Sequence, residues 1–280
     1  MSEQIITIDY KSTTASKEFV ESLHNTGFAV LRNHPLNPNL IDSVYNEWKS
    51  FFKGKDKYNY TFDIKDQDGY FPFQSENAKG YNYKDLKEFF HYYQWGRFPK
   101  NMSNNTQKIY TQLIDLGKIL LNWIDIHSPI QIRNNYSMPL SEMIEDSAMN
   151  LMRIIHYPPL RSSDHKNAIR AAEHEDINLI TLLSPGSEPG LQVLNKTNQW
   201  IDIKSNPEWL VINTGDMLKE CSNEYFPSTT HRVINPDLIN SNKSRYTIPL
   251  FVHPRDNVKL SKRYTARKFL DERLGEIGLK

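Results

Sequence analysis

The hydrophobic pattern of the chain changes near residue 149. Before that point, apolar residues recur every three or four positions, which is typical of amphipathic helices. This half predicts helices at 16–26, at 38–53 and from about 106, and a short strand at 28–31. Asn37 followed by Pro38 is typical of a helix start, and Gly27 of a helix end.

After Met149, short apolar runs alternate with Gly, Pro, Asn and Ser, a rhythm typical of a sandwich or jelly roll. It predicts strands at 152–157, 179–183, 190–194, 209–213 and 246–252. A final amphipathic helix is predicted from about Lys262, with these residues inward: Ala266, Phe269, Leu270, Leu274 and Ile277. We therefore predict an α+β protein with a helical region at 1–145 and a β-core with a C-terminal helix at 146–280, folding as one cooperative unit.

Composition narrows the class of protein. The 280 residues are 38% hydrophobic and 12% aromatic, a globular profile. Lys and Arg number 34 against 33 Asp and Glu, so no broad surface attracts nucleic acid or a membrane. Cys221 is the single cysteine, which excludes a disulfide framework, and the first residues lack the pattern of a secretory signal. We expect a cytoplasmic protein that binds neither nucleic acid nor membrane.

Candidate metal ligands begin at His174 and Asp176. Residues two apart in an extended segment point to the same face, so one metal ion can reach both. By itself the pair is weak evidence, because a solvated loop histidine is the commoner case. A zinc-protease motif is excluded, since His-Glu-x-x-His requires histidine where Asn178 stands.

The residues that follow strengthen the metal hypothesis. The apolar run at 179–183 can anchor the pair, and His231 lies far enough along to return on another strand. Two imidazoles and one carboxylate bind ferrous iron on one face and leave other positions open. Arg245 and Thr247 again alternate along a predicted strand. A guanidinium beside a hydroxyl is suited to hold the far carboxylate of a 2-oxo acid.

Several segments, in this order, resemble the isopenicillin N synthase-like family of iron(II)- and 2-oxoglutarate-dependent oxygenases. In the second half these are Arg153-Ile-Ile-His-Tyr-Pro-Pro159, His174-Glu-Asp176, Gly190-Leu-Gln-Val193, Gly215-Asp-Met217, His231-Arg-Val-Ile-Asn-Pro236 and Arg245-Tyr-Thr-Ile-Pro249. In the first half they are Gly27-Phe28, Asn33-His34, Phe51-Phe52, Gly69-Tyr70 and Lys87-Glu88. The resemblance covers nearly the whole chain.

The resemblance implies a double-stranded β-helix, a jelly-roll core of cupin type, with these iron ligands: His174, Asp176 and His231. It further implies that Arg245 pairs with the 5-carboxylate of 2-oxoglutarate, with Thr247 as a hydrogen-bond donor and Tyr157 close to the co-substrate. The family more usually has Ser at the position of Thr247. Threonine keeps the hydroxyl and adds a methyl group that narrows the pocket slightly.

Residues for the substrate pocket are harder to find from sequence. Phe251 shares a strand face with Arg245 and Thr247 and is a candidate for the cavity lining. Tyr70 and Phe73 are candidates for an aromatic wall, with packing in the core as the alternative. His91 is either structural or part of the cavity. We expect no catalytic residue beyond the metal centre.

The expected function is oxidation, chiefly hydroxylation, of a small organic substrate by dioxygen, with release of succinate and CO2 from 2-oxoglutarate. Desaturation or ring closure uses the same centre. The expected cofactor is Fe(II), with 2-oxoglutarate as co-substrate and ascorbate as a further candidate reductant. Two alternatives stay open: an oxidase of the same fold driven by its substrate or by ascorbate, and a non-catalytic jelly-roll protein that carries a metal. Neither the substrate nor the oligomeric state follows from the sequence.

Overall fold

The protein combines two β-sheets with helices on the outside of one sheet. The computed structural model describes residues 5–63, 65–76, 82–184, 186–237 and 239–276. The strands are β1 Thr7–Asp9, β2 Phe28–Arg32, β3 Gly69–Phe71, β4 Glu88–Tyr92, β5 Leu151–Tyr157, β6 Ala171–His174, β7 Ile180–Leu183, β8 Leu191–Leu194, β9 Trp200–Asp202, β10 Leu210–Thr214, β11 His231–Val233, β12 Arg245–Thr247 and β13 Pro249–Val252. The α-helices are α1 Ala15–Thr26, α2 Pro38–Lys53, α3 Asn105–His127, α4 Ile130–Arg133, α5 Leu140–Met143, α6 Asp216–Cys221 and α7 Ala266–Glu276. A 3-10 helix spans Asp56–Tyr60.

The two sheets face each other. The larger follows the order β1-β2-β10-β7-β13-β5-β4-β3, with β12 also paired to β5, and the smaller follows β6-β11-β8-β9. Apolar side chains from both sheets meet between them, for example Phe89 and Tyr157 from the larger and Leu191 and Val233 from the smaller. Such a pair of facing sheets is the α+β jelly-roll arrangement predicted from the sequence.

The helices α1, α2 and α3 pack on the outer face of the larger sheet around fully buried side chains such as Trp48 and Leu113. The predicted helix signals are confirmed. Gly27 follows α1 with a left-handed φ of 71°, a conformation that glycine adopts without strain. The Asn37 side chain accepts hydrogen bonds from the backbone N–H groups of Asn39 and Leu40, 3.0 and 3.3 Å away, at the start of α2.

The structure differs from the sequence-based expectation in the first half, which contributes strands β1 to β4 to the larger sheet. Strand β4 has no polar–apolar alternation because all five of its residues are buried. Its carboxylate, Glu88, is held by the Lys57 ammonium at 2.8 Å, the Tyr70 hydroxyl at 2.5 Å and the His156 Nδ1 at 2.7 Å. A buried strand with a charged residue gives no periodic signal.

Smaller differences concern the C-terminal third. The predicted strand at 246–252 is two strands, β12 and β13, separated at Ile248. Helix α7 begins at Ala266, four residues after Lys262, and its inward residues Ala266, Phe269 and Leu270 are buried. Ile277 lies outside the described residues. In the part of the chain that the structure describes, no helix is both long and apolar enough to cross a membrane.

Candidate metal centre and co-substrate site

The two candidate histidine ligands are cross-strand neighbours. His174 ends β6 and His231 begins β11, and the two residues oppose each other in the antiparallel ladder of the smaller sheet. Opposed residues of such a ladder have their side chains on the same face. Their ring centroids are accordingly 4.3 Å apart. The strand pairing thus brings together two residues separated by more than fifty positions.

Each imidazole is oriented by a backbone carbonyl. His174 Nδ1 lies 2.7 Å from the carbonyl oxygen of Ala172, and His231 Nδ1 lies 3.0 Å from that of Thr229. A carbonyl oxygen only accepts, so each Nδ1 carries the proton and donates it. Both Nε2 atoms therefore present lone pairs to the space between the rings, as metal ligands must.

Asp176 is the third member of the group, and its two carboxylate oxygens make different contacts. Oδ2 accepts hydrogen bonds from Thr181 Oγ1 at 2.6 Å and from Asn213 Nδ2 at 2.7 Å. Oδ1 faces the histidines, 3.9 Å from His174 Nε2 and 3.8 Å from His231 Nε2. Thr181 and Asn213 are paired across β7 and β10, which fixes both donors beneath the carboxylate.

The three side chains offer one ligand atom each, and these atoms lie within 4.8 Å of one another. Burial, reinforced by His231, lowers the pKa of His174 to about 4, so this imidazole is neutral near pH 7. Burial alone would raise the pKa of Asp176, but the adjacent histidines and the two hydrogen bonds hold it below the usual value. A neutral imidazole and an ionised carboxylate are the forms that bind a divalent ion.

The residues predicted to hold the co-substrate also lie together, on the inner face of the larger sheet. Arg245 and Thr247 oppose Tyr157 and Ile155 in the ladder of β12 and β5. The Arg245 guanidinium carbon is 5.2 Å from the centre of the Tyr157 ring. The Nε of Arg245 donates to the backbone oxygen of Glu188 at 2.9 Å, while its buried Nη1 has no hydrogen-bond partner among the described residues. An unpartnered buried N–H of a cation is suited to an anionic ligand.

Sequence reasoning missed several supporting residues. Tyr45 on α2 makes a hydrogen bond to Thr247 and interacts electrostatically with the positive charge of Arg245. Gly186 leaves room for Arg245, because a Cβ at this position would lie 2.5 Å from Nη2. Thr181 and Asn213 hold Asp176, as described above. None of these four belongs to a local motif; each becomes recognisable only through strand register and packing.

A cavity of about 2050 Å³ opens beside His174 and Asp176. Two of the four residues considered for the substrate pocket, His91 and Phe251, line it. His91 is also structural, since its Nδ1 donates to the backbone oxygen of Gln67 at 2.7 Å and its Nε2 accepts from Arg153 Nε at 2.8 Å. Burial, together with the charge of Arg153, lowers the pKa of His91 well below its usual value.

Tyr70 and Phe73 do not line this cavity, which corrects the expectation of an aromatic wall. Tyr70 is 1% exposed in the core beneath the helices, where its hydroxyl donates to Glu88. Phe73 packs under the guanidinium of Arg161 at 4.9 Å. Cys221 is a buried free thiol in α6, and burial raises its pKa, so it is not an activated nucleophile.

Two imidazoles and one carboxylate form the metal donor set of a non-haem iron oxygenase, and the buried arginine on the larger sheet is suited to a 2-oxo acid. The comparison with known families agrees. The 2OG-Fe(II) oxygenase superfamily matches residues 148–254, and the family described as non-haem dioxygenase in morphine synthesis N-terminal matches residues 5–112. The chain belongs to the 2OG-Fe(II) oxygenase superfamily, and the resemblance to its isopenicillin N synthase-like branch is confirmed.

Relatives with functional names point the same way. A 2-oxoglutarate-Fe(II) type oxidoreductase of Aspergillus fumigatus is 26% identical over 255 residues, covering 81% of this chain and 72% of that protein. The homoarginine-6-hydroxylase 2-ODD-C23 of Glycine max is 41% identical over 106 residues, but these cover 36% of this chain and 31% of that protein. The match thus spans less than a third of that hydroxylase.

Solved structures share the fold over nearly the whole chain. A protein of Shewanella oneidensis assigned as an oxygenase is 46% identical, with a TM-score of 0.90 over 99% of this chain and 100% of that one. Full-length T7H of Neurospora crassa in complex with alpha-KG has a TM-score of 0.81 at 23% identity, covering 97% of this chain and 96% of that one. The protein is thus a 2-oxoglutarate- and iron(II)-dependent oxygenase with a jelly-roll core.

Proposed function

We propose that His174, Asp176 and His231 bind the iron, and that Arg245, Thr247 and Tyr157 hold 2-oxoglutarate. One observation carries this proposal: three ligand atoms converge within 4.8 Å, and a buried arginine with an N–H unpartnered among the described residues lies on the inner face of the larger sheet. With iron(II) held there, dioxygen would be the oxidant: one oxygen atom would convert 2-oxoglutarate to succinate and CO2, and the other would oxidise the substrate.

The chain's own residues prepare the centre. The carbonyls of Ala172 and Thr229 accept from the Nδ1 atoms and so direct each Nε2 towards the metal position, and Thr181 and Asn213 fix the carboxylate of Asp176. Orientation fixed before the ligands arrive lowers the reorganisation that binding requires. Arg245 orients the 2-oxo acid through its distal carboxylate, which aligns the other end with the metal.

We further propose that the substrate is a small, polar organic molecule that is hydroxylated. Beside the metal ligands, the cavity wall carries Arg153 and Lys87 together with the apolar Leu151 and Phe251. The Arg153 guanidinium lies 5.6 Å from the centre of the Phe251 ring, so an aromatic face and a hydrogen-bonding cation stand side by side. Such a wall fits a compact substrate with both an apolar surface and polar groups.

The test is succinate formation from 2-oxoglutarate by protein supplied with Fe(II), with and without candidate polar substrates. We expect slow succinate release without substrate and faster release with a true substrate. If no succinate forms and oxygen is consumed with ascorbate or substrate but without 2-oxoglutarate, the oxidase of the same fold would be favoured. No metal binding at all would favour the non-catalytic binding protein. A cytoplasmic location stays a prediction from composition.

A further inference from the structure

A second arginine lies next to the proposed co-substrate site. Arg170, directly before β6, is 1% exposed, and Arg245 is 3% exposed. Their guanidinium carbons lie 5.9 and 5.2 Å from the centre of the same ring, that of Tyr157. Two buried cations therefore share one aromatic neighbour at the end of strand β5.

Among the residues that the structure describes, neither guanidinium has a carboxylate partner. Arg170 Nη2 donates to the backbone oxygen of Lys243 at 2.9 Å, and Arg245 Nε donates to that of Glu188 at 2.9 Å. Arg170 Nε and Arg245 Nη1 are buried without a hydrogen-bond partner, and no ion pair involves either arginine within the described residues. The Glu188 carboxylate is close enough to act on Arg170 electrostatically, but it makes no ion pair with it.

Two unpaired cations that are buried close together repel each other and destabilise the folded state. Burial, followed by the charge of Arg245, lowers the pKa of Arg170 to about 10. Buried charges in proteins are otherwise paired or bind a ligand. Structural need does not explain the arrangement, because a neutral side chain could donate a hydrogen bond to the Lys243 carbonyl as well.

We infer that Arg170 supplies a second positive charge to the co-substrate site, so that two arginines hold the distal carboxylate of 2-oxoglutarate. This inference rests on the proposed function, which places that carboxylate at Arg245. A dicarboxylic 2-oxo acid would neutralise a site that carries two charges. A 2-oxo acid of the same length without the distal carboxylate would leave both arginines unpaired. The pair of arginines therefore makes Arg170 a residue that determines co-substrate specificity.

The experiment is equilibrium binding to protein loaded with nickel(II) in place of iron, so that no turnover occurs. Calorimetric titrations with 2-oxoglutarate and with 2-oxopentanoate compare wild type with Arg170→Met. A hydrogen bond to a charged group corresponds to roughly 10- to 100-fold in affinity. We expect Arg170→Met to weaken 2-oxoglutarate binding by a factor in that range and to change 2-oxopentanoate binding by less than about twofold.

A matched control separates the effect of position from that of charge. Arg161→Met removes an exposed guanidinium that stacks on Phe73 away from the cavity, and it should leave both titrations unchanged. Arg170→Lys keeps the charge and should lose less 2-oxoglutarate affinity than Arg170→Met does. If Arg170→Met does not fold, Arg170→Lys carries the test, with a selective loss of several-fold expected for 2-oxoglutarate.

Equal losses for the two acids, or no loss for either, would overturn the role of Arg170 and leave the proposed function intact. A wild-type protein that binds nickel(II) but discriminates neither acid would instead contradict the placement of 2-oxoglutarate at Arg245. The two failures are therefore distinguishable in one set of titrations.

Discussion

At the scale of single residues, the site depends on how each polar atom is used. Asp176 commits Oδ2 to Thr181 and Asn213 and leaves Oδ1 for a metal, and each histidine commits Nδ1 to a carbonyl. The sequence could identify the ligands because their motifs have fixed spacing. It could not identify Thr181, Asn213 or Arg170, because their roles exist only after strands from distant segments pair.

Single substitutions should distinguish loss of metal binding from loss of co-substrate binding. We expect Asp176→Ala to lose iron binding, because two imidazoles without the carboxylate bind Fe(II) weakly. Arg245→Ala should keep iron but raise the 2-oxoglutarate requirement about 10- to 100-fold. Metal content and the dependence of succinate formation on 2-oxoglutarate measure the two effects. Unchanged co-substrate affinity in Arg245→Ala would show that the arginine is wrongly assigned.

Asp125 gives a prediction on the pH dependence of stability. Burial raises its pKa to about 6 although its side chain accepts a hydrogen bond from the backbone N–H of Leu140 at 2.8 Å. In the unfolded chain the Asp125 carboxyl has a pKa near 3.8. The folded state therefore binds an extra proton between pH 3.8 and about 6, and the free energy of unfolding falls as the pH rises through this window. Asp125→Asn keeps an acceptor without the charge and should raise stability at pH 7.5 by roughly 1 kcal/mol.

Thermal unfolding at pH 4 and pH 7.5 measures this effect. The gain from Asp125→Asn should appear at pH 7.5 and shrink at pH 4, where the native carboxyl is protonated in the folded protein. Asp115→Asn, at an exposed position of the same helix, serves as the control and should change neither value. A loss of stability in Asp125→Asn at pH 7.5 would contradict the argument.

At the scale of secondary-structure elements, pairing of β6 with β11 builds the metal site, and the turn after β10 supports it. Periodicity was sufficient to predict α1, α2 and α3 because each presents one apolar face to the sheet. It could not predict β4, which is buried on both faces, or the three-residue strands β3, β9 and β11, which are too short for a pattern. The site therefore depends partly on elements without a sequence signal.

Substitution of Gly215 tests whether the turn between β10 and α6 supports the metal site. A Cβ at this position would lie 2.6 Å from the side-chain oxygen of Asn178, whose Nδ2 donates to Thr181 Oγ1 at 3.0 Å. Gly215→Ala should displace Asn178 and, through Thr181, the carboxylate of Asp176. We expect metal affinity to fall by about 10-fold or more, as measured by competition with a chelator.

Gly275 provides the matched control, because a Cβ there meets nothing within 4 Å. Gly275→Ala lies in α7 and should keep wild-type metal affinity, with stability unchanged or up to about 1 kcal/mol higher. Equal metal affinity in the two variants would show that the turn does not support the centre.

At the scale of the whole molecule, the two predicted regions share one core. Strands from residues 1–145 pair with strands from residues 146–280 at two places, β2 with β10 and β4 with β5. Side chains from both regions, such as Phe19 and Leu250, belong to the same buried cluster. The sequence could predict the fold class, but not this interlocking of strands, which long-range pairing alone determines.

A truncation tests the prediction of one cooperative unit. The fragment 146–280 lacks β2 and β4, so β10 and β5 each lose one of their neighbours, and it would expose the larger sheet's outer face to water. We expect it to show no cooperative thermal transition, whereas the full chain unfolds in one step that circular dichroism and tryptophan fluorescence report at the same temperature. A fragment that unfolds cooperatively would establish two independent domains.

The most direct test of the metal centre is anaerobic titration of the protein with Fe(II) and then with 2-oxoglutarate, followed by visible absorption. We predict one iron per chain and a visible band that appears with 2-oxoglutarate, is absent in Asp176→Ala and needs more 2-oxoglutarate in Arg245→Ala. Wild-type protein that binds no iron, or an Asp176→Ala variant that develops the same band, would contradict a centre built from His174, Asp176 and His231.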